Sequence, residues 1–417
     1  MVFTEGGLST THPTRSYHSR MADLSGLHIL CVPSWWPSPE QPISGVFVND
    51  YIRGFTQAGA RVGIVFPDLV SLRHIRFGAR APIRPRLSWE AVDGVPVVRI
   101  RGWHTAFRRP AWQMGRYLKW LRWGVSEYIT RHGPPDALHA MVSIPAGWAC
   151  AQLDGPLSRR IVLTEVTGPF SLVMDDAANA AFVREAMAKA ATVVSVSEQA
   201  RTEMRSHGIN RAIELCGNPV ARDFCETAVL HRSNGGSIRA LYVGRLVKEK
   251  GVIELAEAAA RIGTTADVEW HFAGDGPVKD EVRATFNRTG MGDRLHLHGL
   301  CDRARVVAFM EQCDLLVHPT YHETFGLSVA EALCMGLPVV TTRGTACAEF
   351  INGTNGLLVE PRDVDSLAIG IQEMIQRLRG PSLFNRAAIA EPARRRFSGE
   401  AVAEKYGEWF RSTMSHA

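Results

Sequence analysis

Apolar positions along this chain fall into two alternating patterns, short unbroken runs and longer stretches at helical spacing. Leu27-His-Ile-Leu-Cys-Val-Pro33 is a run that predicts a first strand. A loop rich in Pro, Trp and Gly follows from Ser34 to Gly45. From Val46 to Ala58 the apolar residues recur as on one face of a helix, and Gly59 supplies the stop. Arg61-Val-Gly-Ile-Val-Phe66 predicts the second strand, ended by Pro67. Strand, loop, helix, strand is a βαβ unit. Further strands are predicted over Val95–Ile100, Ala137–His139, Ile161–Thr164 and Thr192–Ser195. Helices are predicted over the Ala-rich segment Asp175–Ala191 and over Ser197–His207, the latter with a Ser cap.

The polar, glycine-rich stretch His231–Ser237 interrupts the pattern, and a domain boundary is expected between about 215 and 237. A second α/β series then begins. Strands are predicted over Ile238–Val243, Val268–Ala273, Leu295–His298 and Leu315–His318, and another opens at Pro338-Val-Val340. Helices are predicted over Gly251–Arg261, Val278–Asn287, Ala304–Glu311, Phe325–Met335 and Asp365–Arg377, with a last one over Gly399–Ser415. The expected architecture is α/β, two Rossmann-like domains: a flexible tail 1–24, a first domain 25–220 completed by a returning helix 395–417, and a second domain 221–394. In such folds ligands sit beyond the carboxyl ends of the strands.

Composition narrows the class. The 417 residues are 46% hydrophobic and 21% charged, enough for two cores. No apolar run reaches the ~18 residues of a spanning helix. The first twenty residues lack the apolar core of a signal peptide. The eight cysteines form no C-x-x-C pair and show no zinc-site spacing, so they read as buried thiols in a reducing, cytoplasmic compartment. A net charge of +5 favours anionic partners only weakly. A nucleic-acid binder is disfavoured, because no concentrated basic stripe with sheet aromatics is present. A dehydrogenase is disfavoured too: the first strand runs into Pro33-Ser-Trp-Trp-Pro37, without a G-x-G-x-x-G turn.

Two segments carry chemistry. Gly244-Arg245-Leu-Val-Lys248-Glu-Lys250-Gly251 joins a predicted strand to a helix, where cations beside a helix N-terminus suit a diphosphate; a solvated charged loop is the bland alternative. Tyr321-His-Glu323-Thr-Phe-Gly326-Leu-Ser-Val-Ala-Glu331 places Glu323 just before a helix and Glu331 inside its apolar body. Such a Glu is costly without a partner. Helix capping for Glu323 and a surface ion pair for Glu331 are the structural alternatives.

These residues resemble the family 4 glycosyltransferases, which have the two-domain GT-B fold, its domains facing across a cleft. The matching pieces are Val243-Gly-Arg245, Lys250-Gly251, Phe272-Ala-Gly-Asp-Gly-Pro277, His318-Pro319, Glu323 to Ala332, Met335-Gly-Leu-Pro-Val-Val340 and Asn355 to Pro361, in the family's order. In the first half, Ser34-Trp-Trp-Pro37, Pro42 to Val48, Ala137-Leu-His139-Ala, Ser195-Val-Ser197 and Asn218-Pro219 also match. Phe397-Ser-Gly-Glu and Val402-Ala-Glu-Lys-Tyr406 look like the family's returning helix. The resemblance implies a hexosyltransferase that uses a nucleotide-sugar donor with retention of anomeric configuration. UDP- or GDP-linked donors are expected first, with no cofactor and no obligatory metal. It also implies roles. Arg245 and Lys250 would neutralise the leaving diphosphate, and Glu323 would hold the donor sugar. Glu331 would hold the ribose. Gly45 and Gly244 would lie against the phosphates, and Asp275 and Gly276 would shape the donor-side loop. His298, Gly299 and Leu300 would lie near the base, and Thr324, Phe325, Gly326 and Leu327 would line the donor site.

Two positions depart from the family. Where many relatives carry a His after Thr-Glu, this chain has Val166, and a second His is replaced by Met141. Neither side chain can do what an imidazole does. His139, Glu165 and Thr167 are the candidate acceptor-side residues. The acceptor is expected to be a glycan, a lipid-linked molecule or a small molecule. At roughly 100° per residue after Pro110, Met114, Leu118, Leu121, Val125, Tyr128 and Ile129 share one face. Arg116, Lys119 and Arg122 share the other, with Trp120 and Trp123 among them. That makeup suits an anionic membrane surface at the inner face of the cytoplasmic membrane. Trp rings covered by a loop or a second subunit are the alternative. The basic stretch Arg73–Arg86 reads as a flexible acceptor-side loop. An epimerase of the same architecture and a nucleotide-sugar-binding protein without turnover remain open alternatives.

Overall fold

The computed structural model describes residues 23–38, 41, 44–71, 81–104, 110–229, 236–380 and 384–415. Most of the expected N-terminal tail, residues 73–80 of the basic stretch, Arg108, Arg109 and most of the glycine-rich segment 231–237 lie outside them.

The first sheet contains β1 (His28–Pro33), β2 (Arg61–Ser71), β3 (Arg86–Val92), β4 (Val95–His104), β5 (Ala137–Met141), β6 (Ile161–Glu165), β7 (Thr192–Ser195) and β8 (Glu214–Leu215). Their spatial order is β3-β4-β2-β1-β5-β6-β7-β8, all parallel except β3. Around it lie α1 (Phe47–Gln57), α2 (Pro110–His132), α3 (Trp148–Ala151), α4 (Ser171–Met174), α5 (Ala177–Lys189) and α6 (Glu198–Ser206). The short α7 (Arg222–Glu226) leads into the second sheet. That sheet holds β9 (Ile238–Val243), β10 (Val268–Ala273), β11 (Leu295–Gly299), β12 (Leu315–His318), β13 (Val339–Thr342) and β14 (Gly356–Val359). It is ordered β11-β10-β9-β12-β13-β14 and is parallel throughout. Its helices are α8 (Val252–Ile262), α9 (Lys279–Arg288), α10 (Arg303–Gln312), α11 (Leu327–Cys334) and α12 (Val364–Arg379), and the chain closes with α13 (Arg386–Phe397) and α14 (Gly399–Ser415).

Each sheet is buried on both faces, which is why its central strands read as unbroken apolar runs. In the first sheet one face meets α2, α3 and α5 through Leu30, Val65, Leu138 and Leu163. The other meets α1 and α14 through Ile29, Ile64, Phe55, Tyr406 and Phe410. The last helix therefore packs on the first domain, with Gly54 of α1 against Gly399. Two segments cross side by side between the domains, the Val220 amide donating to the Phe397 carbonyl (2.7 Å).

Three differences from the sequence reading have local causes. Strand β2 runs on through Pro67. Beyond Ile64 it has left β1 and pairs only with β4, so a missing N–H on the open side costs no ladder bond. The edge strand β3 begins within the expected loop, at Arg86. Trp120, expected on a solvent-facing cationic surface, is core: its ring fills the slot left by Gly102 of β4, and it is 5% exposed. Among the cations of that surface, Arg116 donates to the Trp103 carbonyl (2.9 Å), and Arg122 faces Asp154 (3.4 Å).

Candidate active site at the facing strand ends

In the second sheet, β9 has β10 on one side and β12 on the other, so chain direction around the sheet reverses between β9 and β12. Ligands of such sheets bind in the crevice at that point. The segments leaving these two strands carry the motif residues. Tyr321 N–H and the Thr320 hydroxyl donate to the Glu249 carbonyl (3.0 and 3.4 Å). A side chain at Gly251 would strike the Pro319 carbonyl at 2.0 Å. The helices that follow, α8 and α11, both begin without a side-chain cap. By contrast α5, α6, α10 and α12 are capped by Asp176, Ser197, Asp302 and Asp363. The uncapped amides at the crevice remain available to an anion.

Lys250 and Glu323 meet there at 2.5 Å, each about a fifth exposed. Burial works against the Glu323 charge, but the His318 imidazole and the Lys250 ammonium outweigh it and hold the carboxyl down at about 2. By distance Lys250 is the tighter partner, since His318 Nε2 stands 3.5 Å away. Glu323 does not cap α11, whose N-cap is Gly326. Arg245 is exposed, and among the described residues no carboxylate lies within ion-pair distance of it. The Tyr242 hydroxyl donates to its carbonyl (2.8 Å) and fixes the backbone.

The neighbouring strand ends bring up the other donor-side residues. A Cβ on Gly274 would lie 1.8 Å from the Gly244 carbonyl oxygen, and one on Gly276 would lie 2.2 Å from that of Leu246, so the loops after β9 and β10 touch backbone to backbone. The Gly276 amide holds the Asp275 carboxyl below its usual range. Gly274 N–H donates to the Gly299 carbonyl (2.8 Å), drawing the His298–Leu300 turn alongside; Leu300 is exposed there. His298 stacks on His271 and meets Phe309 at a tilt, and burial lowers its pKa. Thr324 lies at the domain junction, and Leu327 opens α11. Phe325 points away from the crevice into a cluster with Phe350 and Phe397, so only its backbone can face a ligand.

Glu331 is half-buried, near Arg303 of α10 and Asp50 of α1. Burial pushes its carboxyl up to about 8; Arg303 opposes and Asp50 reinforces that shift. Among the described residues the surface ion pair considered from sequence is not formed: Arg303 is bound to Asp50 across the domains (2.8 Å).

The first domain turns its strand ends toward this crevice. The first two amides of α6 donate to Glu349 after β13 (3.0 and 2.8 Å). Gly168 after β6 lies against Thr324, where a Cβ would come within 1.6 Å of its hydroxyl. Gly45, at φ +70°, is required by the Trp35 carbonyl of its own loop, 2.3 Å from where a Cβ would stand. His139 is a correction. It is fully buried among Tyr51, Phe55 and Tyr406, bonds the Thr164 hydroxyl (2.8 Å), and burial lowers its pKa to about 3, so it cannot face an acceptor. The Glu165 carboxylate is likewise committed, accepting from the Ser143 and Thr167 amides (2.9 and 2.8 Å). Val166 packs against the aliphatic core of the second domain.

One residue escaped the sequence reading. His322 crosses to the first domain beside Gly168, and among the described residues neither its buried Nε2 nor the buried Thr167 hydroxyl has a hydrogen-bond partner. A His next to Glu323 was the only signal in the sequence. Among the described residues no cluster of His, Cys, Asp and Glu could hold a metal ion, and no helix is long and apolar enough to cross a membrane. All eight cysteines are free, six buried and Cys225 and Cys301 only half-buried.

Two Rossmann-like sheets with facing strand ends, joined by a crossing pair of segments, make the two-domain GT-B architecture. Residues 44–218 match a family described as “Glycosyl transferase 4-like domain”, and residues 237–377 match “Glycosyl transferases group 1”. A Bacillus subtilis protein named “Putative teichuronic acid biosynthesis glycosyltransferase” is 27% identical over 367 residues, covering 83% of this chain and 88% of the relative. An alpha-D-kanosaminyltransferase of Streptomyces kanamyceticus is 28% identical over 52% of this chain and 59% of its own. Among solved structures, sucrose-phosphate synthase from Thermosynechococcus elongatus superposes with a TM-score of 0.67 at 19% identity, over 94% of this chain and 100% of that one. The Anabaena protein HepE in complex with UDP and glucose gives 0.64 at 19% identity, over 93% and 100%. The chain belongs to the GT-B glycosyltransferases and is a glycosyltransferase.

Proposed function

We propose that the chain moves a hexose-type sugar from a UDP- or GDP-linked donor to an acceptor hydroxyl, retaining anomeric configuration. The observation that carries this reading is the Lys250–Glu323 pair set between two uncapped helix N-termini, with exposed Arg245 beside it. When the bond from the anomeric carbon to the diphosphate oxygen breaks, its electron pair leaves with the diphosphate. Arg245, Lys250 and the free amides of α8 and α11 meet that charge already oriented. Glu323, ionised at any physiological pH, accepts from hydroxyls of the donor sugar. Among the described residues nothing donates a hydrogen bond to the Glu331 carboxyl, which fits the ribose hydroxyls. In place of an imidazole at 166, His322 Nε2 and the Thr167 hydroxyl offer unpartnered polar atoms at the domain junction among the described residues.

The second domain is thereby the donor-binding domain, and the first, completed by α14, holds the acceptor. A cytoplasmic enzyme lying on the membrane is supported by exposed Trp123 and Lys119, though Trp120 no longer contributes. Incubating purified protein with a bound donor and no acceptor, and following the sugar by NMR, separates the alternatives. A transferase releases free sugar slowly in the donor's own anomeric configuration. Conversion of the donor to its epimer would establish an epimerase, and an unchanged donor a binding protein.

A further inference from the structure

Cys225 lies on the short helix α7, just after the chain crosses between the domains, and Cys334 is the last residue of α11. Both belong to one apolar cluster, and the Cys334 thiol hydrogen-bonds the Cys225 sulfur. The surroundings hold them together. Arg394 of α13 donates through Nε to the Cys334 carbonyl and through Nη2 to the Thr227 carbonyl, both at 2.8 Å, so one guanidinium ties the end of α11 to the end of α7. We propose that Cys225 and Cys334 form a thiol pair that hydrogen peroxide closes to a reversible disulfide, and that the disulfide weakens donor binding at the crevice; the effect on binding rests on the donor-site reading above.

The two thiols differ in the way such a pair requires. Cys225 is half-buried, between exposed Arg222 and Glu226. It lines a cavity of about 30 Å³ where α7 meets α1 and the start of α14. A space of that size holds a molecule on the scale of water and excludes a peptide disulfide, which points to hydrogen peroxide as the oxidant. Cys334 is fully buried, and the hydrogen bond to Cys225 together with burial pushes its thiol well above the ordinary range. Oxidation follows exposure and thiolate character, so Cys225 reacts first and Cys334 resolves.

The Cys225 thiolate attacks one peroxide oxygen. The O–O bond breaks, and its electron pair leaves on the other oxygen, which takes a proton to become water. Cys225 is then a sulfenic acid. The Cys334 sulfur attacks Cys225 Sγ, the S–O bond breaks, and the hydroxyl leaves with the Cys334 proton as a second water. Two thiols and one peroxide become one disulfide and two waters. A small thiol reverses the bond by exchange. Glu331 stands three residues before Cys334, as its neighbour on the same face of α11. Drawing the sulfurs from contact to bonding distance pulls the last turn of α11 toward α7, and carries Glu331 away from the position that the ribose requires.

The test treats the reduced full chain with hydrogen peroxide. Peptide mapping without reductant should find Cys225 joined to Cys334, and dithiothreitol should separate them. In Cys334→Ala, dimedone should label Cys225 as the trapped sulfenic acid. Calorimetry follows with the nucleotide sugar that binds the reduced protein, chosen from the UDP-, GDP-, ADP- and dTDP-linked forms. Its affinity should fall at least threefold on oxidation and return with reductant, while Cys225→Ser should keep its affinity through the same treatment. Cys225→Ser exchanges sulfur for oxygen at a half-buried position, so it stays informative if Cys334→Ala fails to fold. A disulfide between other cysteines, or no disulfide at all, overturns the pair. A disulfide between Cys225 and Cys334 with unchanged affinity overturns its control of the crevice. Reduced protein that binds no nucleotide sugar counts against the donor-site reading instead, and the peptide map still decides the pair.

Discussion

Replacing Lys250 by Met while keeping Glu323 leaves a four-fifths-buried carboxylate with only His318, 3.5 Å away, to balance it. The magnitude follows from the carboxyl itself. Its fall from 4.5 to about 2 is about 2.5 units, and at ~1.36 kcal/mol per unit the ionised form gains about 3 kcal/mol net in the fold. Breaking a fully buried pair costs ~3–5 kcal/mol, and an exposed pair is worth ~0–1. A pair one-fifth exposed should therefore show a coupling of ~1–3 kcal/mol. The assay is a double-mutant cycle with Lys250→Met, Glu323→Gln and the double variant, read as urea midpoints at pH 7 with unchanged m-values. Linkage fixes the pH dependence. Because the folded pKa is depressed, the Glu323 contribution is complete above about 4.5 and is lost as pH falls through about 2. The wild-type advantage over Glu323→Gln should shrink over that window. A coupling below ~0.5 kcal/mol, or a difference independent of pH, would refute the reasoning.

Three further outcomes follow from the same geometry. Gly276→Ala puts a Cβ 2.2 Å from the Leu246 carbonyl oxygen; it should cost ~1–3 kcal/mol in unfolding and weaken nucleotide binding in calorimetry. Glu331→Gln should match wild type near pH 4.5 and become progressively the more stable protein as pH rises from there to about 8, because the fold resists ionising this carboxyl while the unfolded chain does not. Thermal unfolding at pH 5 and 8 checks this, and a variant less stable at pH 8 contradicts it. His322→Ala should lower turnover ten- to a hundred-fold, ~1.4–2.7 kcal/mol of barrier, with a stability change within ~0.5 kcal/mol. His322→Asn should restore part of it, and an unchanged rate would remove His322 from the site.

How far the sequence reached depended on whether the deciding contact was local. The parallel strands were legible because both faces are buried, and the Arg245, Lys250 and Glu323 segments because each lies at a strand end. Strand β3 was not, since Arg86-Leu-Ser-Trp-Glu-Ala-Val92 is a half-exposed edge with no clean alternation. Trp120 was misplaced because a helical projection cannot know that Gly102, eighteen residues earlier, opens a slot in β4 for its ring. His139 was misplaced for a related reason. The aromatics that bury it come from α1 and from α14, more than 260 residues away in the case of Tyr406. The His322–Gly168 contact is between domains and carries no periodic signal at all. In each case the missing information is tertiary.

Whether a nucleotide sugar occupies the crevice between β9 and β12 decides the donor-site assignment. Calorimetric titration with UDP-, GDP-, ADP- and dTDP-linked sugars, repeated with Arg245→Ala and Glu323→Ala, measures it. One donor should bind in the micromolar range, and each variant should weaken it at least tenfold, about 1.4 kcal/mol. Folded protein that binds none of the four, or binds one equally well in both variants, would contradict the assignment of this crevice as the donor site.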